Sequence, residues 1–253
     1  MTESAVIDRF AAVADQYDRH AAPQRWAAAD LLAFTEVESP TTVLEPGCGT
    51  GLYTRMLRDA FPDADIRAVD VCPQMLAVAR GRDDCAAIEF VQADAEDPLA
   101  GTYDLISSNA TFQWFRRLPE TLSRYAEMVT ERGALTFSFF GPGTYAELDT
   151  ALQQVLGASA RVTAARFTDA DALSKMMHDA FGHVRVQQTR YTQSFNSVWE
   201  LLRSIKYTGT RGPAPEDTLF WTPSLIRKLD RAYPRRRGRI EASYQVYLCE
   251  GRR

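Results

Sequence analysis

Glu45-Pro46-Gly47-Cys48-Gly49-Thr50-Gly51 sets three glycines at alternate positions behind an acid. Glycines at a strand-to-helix junction let the backbone approach a ligand closely and present amide donors at a helix start. A dinucleotide loop needs its third glycine one residue later, where Leu52 stands, and a phosphate-binding loop needs Gly-Lys-Ser/Thr, which this segment lacks. Asp70, closing a predicted strand, can accept both hydroxyls of a ribose, and Asp94, in Gln92-Ala93-Asp94-Ala95, is placed to meet an adenine edge. Glu45, Asp70 and Asp94 all fall at or near the carboxyl ends of predicted strands, where open α/β sheets bind ligands.

The elements that position these groups follow from apolar spacing. Residues 41–45, 65–70, 88–92, 103–108 and 134–140 read as strands, and 52–60, 73–80 and 119–130 as the helices between them. That alternation predicts an α/β fold with a parallel sheet covered on both faces. The first 35 residues read as helix, with Pro23 opening a second segment. Beyond Phe140, Thr144-Tyr145-Ala146-Glu147 predicts a capping box opening a helix to about Leu156. Thr168–Asp171 predicts another helix start, with Gly182 as that helix's C-cap. Residues 184–191 and 243–249 alternate as strands do, 198–205 and 223–232 read as helices, and 209–216 as a loop.

Composition bounds the rest. The 253 residues are 45% apolar and 25% charged, which suits one large domain and excludes disordered and collagenous classes. The longest nearly unbroken apolar stretch, 134–140, is too short to span a bilayer, and the opening MTESAVIDRF lacks a secretory pattern. Cys48, Cys72, Cys85 and Cys249 sit in no metal-ligand spacing, so the expectation is a cytoplasmic protein without a metal site. The net charge of −4 is unevenly spread: residues 201–253 carry 12 Lys/Arg against 5 Asp/Glu, a basic piece on an acidic body.

The acid-and-glycine loop, the Asp after the second strand and the Asp-Ala after the third together resemble the class I S-adenosylmethionine-dependent methyltransferases. The resemblance implies a seven-stranded Rossmann-like sheet with a reversed final hairpin. It also implies a single domain. An N-terminal helical arm (1–38) and a cofactor-binding core (39–140) are followed by helical insertions forming a lid (141–182 and 195–240) and late strands (183–193 and 241–250). Three further stretches narrow the family. These are Phe10 with Tyr17-Asp18-Arg19-His20 and Gln24-Arg25, then Ser108-Asn109-Ala110-Thr111-Phe112-Gln113-Trp114, then Phe137–Thr144 with Glu147-Leu148. Together they resemble the malonyl-acyl-carrier-protein O-methyltransferases of biotin synthesis, with 207–240 matching only loosely.

That resemblance implies methyl transfer from S-adenosylmethionine to the free carboxylate of a malonyl group on the phosphopantetheine of acyl carrier protein. It implies no nucleic acid, membrane or metal, and a monomer is favoured. Gln24, Arg25, Glu45, Gly47, Gly49, Gly51, Asp70, Val71, Met75, Asp94, Ala95 and Asn109 are the expected cofactor residues. Tyr17, Asn109 and Gln113 are expected to position the reacting groups. His20, Trp114, Lys206 and Arg211 are expected on the acceptor side, the last two as cationic anchors. Arg231, Arg235, Arg236, Arg237 and Arg239 form the densest basic cluster and are expected to dock the carrier protein. The generic motifs leave open another small-molecule carboxyl or quinone methyltransferase, an RNA methyltransferase, or a non-catalytic S-adenosylmethionine-binding partner.

Overall fold

A computed structural model describes residues 3–82, 87–208 and 221–253. The chain opens with helices α1 (Glu3–Ala11), α2 (Tyr17–His20) and α3 (Ala22–Phe34). The core follows as β1 (Thr42–Pro46), α4 (Leu52–Ala60), β2 (Asp65–Asp70), α5 (Pro73–Arg80), β3 (Glu89–Gln92), β4 (Tyr103–Asn109), α6 (Leu118–Met128) and β5 (Val129–Phe140). The later half contains α7 (Ala146–Leu156), α8 (Ala170–Ala180), β6 (His183–Phe195), α9 (Val198–Tyr207), α10 (Pro223–Ala232), β7 (Arg235–Arg236) and β8 (Arg239–Arg252).

The sheet runs β3-β2-β1-β4-β5-β8-β6, with β7 added beside β8. β1 to β5 are parallel, and β8 lies antiparallel between β5 and β6. The expected seven strands and reversed final pair are thus present. The two-residue β7 is an eighth, formed where Arg237 (φ 51°) and Gly238 (φ 78°) make a left-handed two-residue turn that folds Arg236 onto Arg239.

Alternation along the strands divides the core between two faces. Val43 and Leu105 pack with α3, α4 and α7, whereas their neighbours Leu44 and Ile106 pack with α6 and α8. All four are fully buried, each contributing about 1.5–3 kcal/mol of apolar transfer. Among the described residues no helix is long and apolar enough to cross a membrane.

Three local expectations change and a fourth falls outside the described residues. Helix α6 ends at Met128, two residues early, because Val129 already pairs with Tyr103 and starts β5. Gly182 is not the C-cap of α8; Phe181 is, in extended conformation, and its ring is buried against Gly251. Residues 209–216, read as a loop, lie outside the described residues. The capping box at Thr144 does not form. Pairing of β5 with β8 stops at Val246, so the next residues of β8 present open backbone groups on that side. The loop after β5 meets them: Gly141 N–H donates to Gln245 O (2.9 Å), Tyr145 N–H to Ser243 O (2.7 Å) and Thr144 Oγ1 to Gln245 O (3.1 Å). Glu147 accepts from the Ser243 amide (2.9 Å) and hydroxyl (2.5 Å). Both box residues thereby pin α7 to β8, and Tyr145 enters the helix at φ 62°.

Candidate active site

The glycine loop is folded back on β2. Gly47 and Cys48 N–H groups both donate to Val69 O (2.7 and 3.0 Å), and Gly49 N–H donates to Asp70 Oδ2 (2.8 Å). The other Asp70 oxygen accepts the Cys72 amide (2.8 Å), so one carboxylate joins the loop to the start of α5. Each oxygen keeps a lone pair for a ligand hydroxyl. Burial raises the Asp70 carboxyl above its ordinary range, against the lowering effect of the Cys72, Gly49 and Val71 amides.

The three glycines do different work. All have positive φ, but a Cβ on Gly47 would fall 2.2 Å from Thr111 Cγ2, whereas one on Gly49 meets no atom within 4 Å. Gly47 therefore makes the tight turn and Gly49 leaves the open floor of the cradle. Gly51, expected beside the cofactor, is not in the cavity wall; it caps α4, and its Cβ position lies 3.2 Å from Ala79.

One cavity gathers most of the expected residues: Tyr17, Gln24, Glu45, Gly47, Gly49, Asp70, Val71, Met75, Asp94, Ala95, Asn109 and Trp114 all line it. Asp94 Oδ1 accepts the Glu96 amide (2.8 Å), and among the described residues its other oxygen has only the Arg117 guanidinium, 3.8 Å away. Gln24 Oε1 and Glu45 Oε2 are buried polar atoms without a hydrogen-bond partner among the described residues. Such atoms are costly unless a ligand satisfies them. Burial pushes the Glu45 carboxyl up to about 8, with nearby Asp70 adding to the shift and Thr54 opposing it.

This donor and acceptor set fits S-adenosylmethionine. Asp70 and Asp94 offer acceptors to a ribose diol and an adenine amine, the unpartnered Gln24 and Glu45 oxygens suit an ammonium, and the acidic wall suits a cation.

The raised Glu45 carboxyl has a stability consequence. The folded protein holds this proton between pH about 4.5 and about 8 while the unfolded chain has released it, so its contribution to stability falls as pH rises through that window. The melting temperature of ligand-free protein is expected to decline over that range, and Glu45→Gln to flatten the decline. An identical pH profile in the variant would contradict the assignment.

The N-terminal arm supplies the opposite wall. Asp18, next to Tyr17, accepts from the Thr50 hydroxyl (2.6 Å) and pairs with Arg82, whose Nε donates to Thr50 O (2.8 Å). The arm is thus fastened to the glycine loop itself. Phe10 lies edge-on to Trp114 (6.0 Å) and tilted to Tyr17 (6.2 Å), and Trp114 meets Phe167 edge-on (5.4 Å). Burial first, then the Asp18 and Asp70 charges, raise the Tyr17 phenol well above its ordinary value, so it stays protonated.

The turn after β4 is held by its neighbours. Asn109 Nδ2 donates to Gln24 O (3.1 Å) and its Oδ1 accepts from Ser138 Oγ (2.7 Å), joining α3 to β5. Ala110 sits at φ 56°, with its amide on Ser138 Oγ (2.9 Å) and its carbonyl on Gln113 Nε2 (2.6 Å). A left-handed alanine costs about 1–3 kcal/mol and persists only where the surroundings impose it. Gln113 thus stands behind the cavity wall, not in it.

Several expected residues are elsewhere. Arg25 is exposed and donates to the Asp18 carbonyl. His20 stacks on Tyr207 (4.7 Å, 16°) outside the wall, its pKa lowered by burial and then by Arg203 and Arg19. Lys206 is exposed, 5.7 Å from the Tyr207 ring centre, and Arg211 lies outside the described residues. The five clustered arginines are all exposed, away from the cavity. Val6 and Ile7 line the cavity without having been expected there; with Phe10 they form an apolar i, i+3/i+4 stripe that the sequence already displays. Phe115 and Arg116 were missed as well, and no local pattern marks them.

Comparison with known proteins agrees with this geometry. The methyltransferase domain family matches residues 44–137. Among solved structures, the YcgJ protein of Bacillus subtilis superposes with a TM-score of 0.61 at 14% identity, covering 90% of this chain and 98% of its own. The plantazolicin methyltransferase BpumL, solved in complex with SAH, gives 0.55 at 15%, covering 98% and 95%. At those identities they establish the fold. The malonyl-[acyl-carrier protein] O-methyltransferase of Anoxybacillus flavithermus is 36% identical over 253 residues, covering 96% of this chain and 94% of its own. With a match that spans 96% of its length at 36% identity, the chain belongs to the malonyl-[acyl-carrier protein] O-methyltransferase family of class I methyltransferases.

Proposed function

We propose that the protein methylates the free carboxylate of a malonyl group carried on acyl carrier protein, using S-adenosylmethionine, and so provides the malonyl methyl ester that starts biotin synthesis. The observation that carries this reading is the extent of the likeness to the Anoxybacillus flavithermus enzyme. The generic domain match stops at residue 137, whereas the relative aligns over 96% of the chain and so includes the segments outside the cofactor core.

The chemistry suits the cavity. The bound donor supplies a methyl group activated by its sulfonium charge. A carboxylate with a pKa of about 4 is already ionised at neutral pH, so no general base is required. A Tyr17 phenol that keeps its proton agrees with that, since it can donate to an acceptor oxygen but cannot act as a base. Phe10, Tyr17 and Trp114 exclude water from the reacting end, and the Asn109 and Gln113 bonds hold the turn that faces them. Removing the acceptor's negative charge makes the acyl end fit for apolar sites that reject an unpaired carboxylate.

The purified chain is expected to add one methyl to malonyl-acyl carrier protein, read by intact mass. Esterification of free dicarboxylic acids in place of the malonyl thioester would assign another carboxyl methyltransferase. Cofactor binding with no turnover on any acyl thioester would assign a non-catalytic partner.

A further inference from the structure

Trp199, in the first turn of α9, is 60% exposed, while the next most exposed large apolar side chains among the described residues, Leu156 and Trp26, reach only 38% and 37%. Tryptophan left this far in water, on an element that also carries arginine, has the composition of a binding hot spot. Arg203 follows one turn on and is exposed. The start of α9 is tied to α10 and the β7–β8 turn by three contacts. Asp230 accepts the Val198 amide (2.9 Å), Arg235 pairs with Asp230 (2.6 Å), and Arg235 also donates to Asn196 O (3.4 Å). Arg239 donates to Ser194 O (3.1 Å).

The basic cluster therefore divides in two. Arg235 and Arg239 build the scaffold. Arg231, Arg236 and Arg237 are exposed on it and make no ion pair among the described residues, Arg237 standing at the tip of the turn.

The platform also leads to the cavity. Helix α9 runs from it to Tyr207, which stacks on His20 of α2, and α2 begins with the cavity residue Tyr17. Eight residues separate Trp199 from Tyr207, about 12 Å of helix at 1.5 Å per residue.

We propose that this platform docks the protein part of the acyl carrier, with Trp199 as apolar anchor and Arg203, Arg231, Arg236 and Arg237 gripping its acidic side chains. The inference rests on the reading that the acyl group arrives on a carrier protein. The positive surface calls for an acidic partner, and a position one helix length from Tyr207, which stacks on the arm that carries Tyr17, suits an acceptor delivered on a flexible arm.

The test compares wild type, Trp199→Ala and the pair Arg236→Glu/Arg237→Glu, each as the full chain, on malonyl-acyl carrier protein and on malonyl-pantetheine, the same arm without protein. The expected result is a KM for the carrier substrate raised about 30-fold in each variant, as for loss of a hot-spot contact. The salt dependence of that KM should be flattened in the charge-reversed pair. Activity on malonyl-pantetheine and SAH affinity should stay within twofold of wild type. Unchanged KM for the carrier substrate in both variants, or equal losses on both substrates, overturns the platform. So does loss of RNA-probe binding in the variants while the carrier KM stays at the wild-type value, which would assign the surface to nucleic acid. Wild type without turnover on malonyl-acyl carrier protein would instead overturn the underlying function.

Discussion

Replacing Asp70 with alanine is expected to weaken S-adenosylmethionine binding roughly a thousandfold. Two charge-assisted hydrogen bonds to a ribose diol, at about 2 kcal/mol each, give about 4 kcal/mol. The same change strands the Gly49 and Cys72 amides that the carboxylate now holds at 2.8 Å. Titration calorimetry with S-adenosylmethionine and with SAH measures the effect directly, and Asp70→Asn, which keeps the shape and loses the charge, should fall between. Affinity for either ligand within tenfold of wild type in the alanine variant would remove Asp70 from the ribose-binding role.

The second large effect separates two glycines that a motif treats alike. Gly47→Ala combines a left-handed alanine, about 1–2 kcal/mol, with an overlap of similar size. The overlap is against Thr111, whose hydroxyl is itself bonded to Gly47 O (3.1 Å) and Asn109 O (3.2 Å) and so resists moving. A loss of about 3 kcal/mol lowers the melting temperature by roughly 10 °C in a protein of this size. Gly49→Ala carries the backbone strain alone, since its added methyl meets no protein atom, and should cost only about 3 °C. That methyl enters the ligand's space, so cofactor affinity should drop at least about tenfold with little change in stability. Thermal unfolding and calorimetry on the two variants check the split; equal melting temperatures would mean that the Thr111 contact is unimportant.

Much of this was legible in the residue order. Helices α4, α5 and α10 begin and end where expected because Gly51, Pro73 and Pro223 mark their first turns and the apolar stripe ends cleanly. Glycine spacing and the two aspartates located the cradle for the same reason, since local backbone demands are written locally. What escaped depends on partners remote in sequence. Thr144 and Glu147 have the spacing of a cap, but the open edge of β8, about a hundred residues on, competes for both. Strands β6 and β8 extend well past their alternating cores because their polar outer halves are held by each other. Arg25 and Gln24 are neighbours on one helix, and only the way α3 seats on β4 and β5 turns Gln24 inward and leaves Arg25 in water.

Asp18 and Tyr17 share a helical turn, yet one grips the loop that floors the cradle and the other lines the cavity above it. Any displacement of Thr50 would be carried through that carboxylate to the aromatic neighbour one peptide away, so floor and wall of the cradle are mechanically joined.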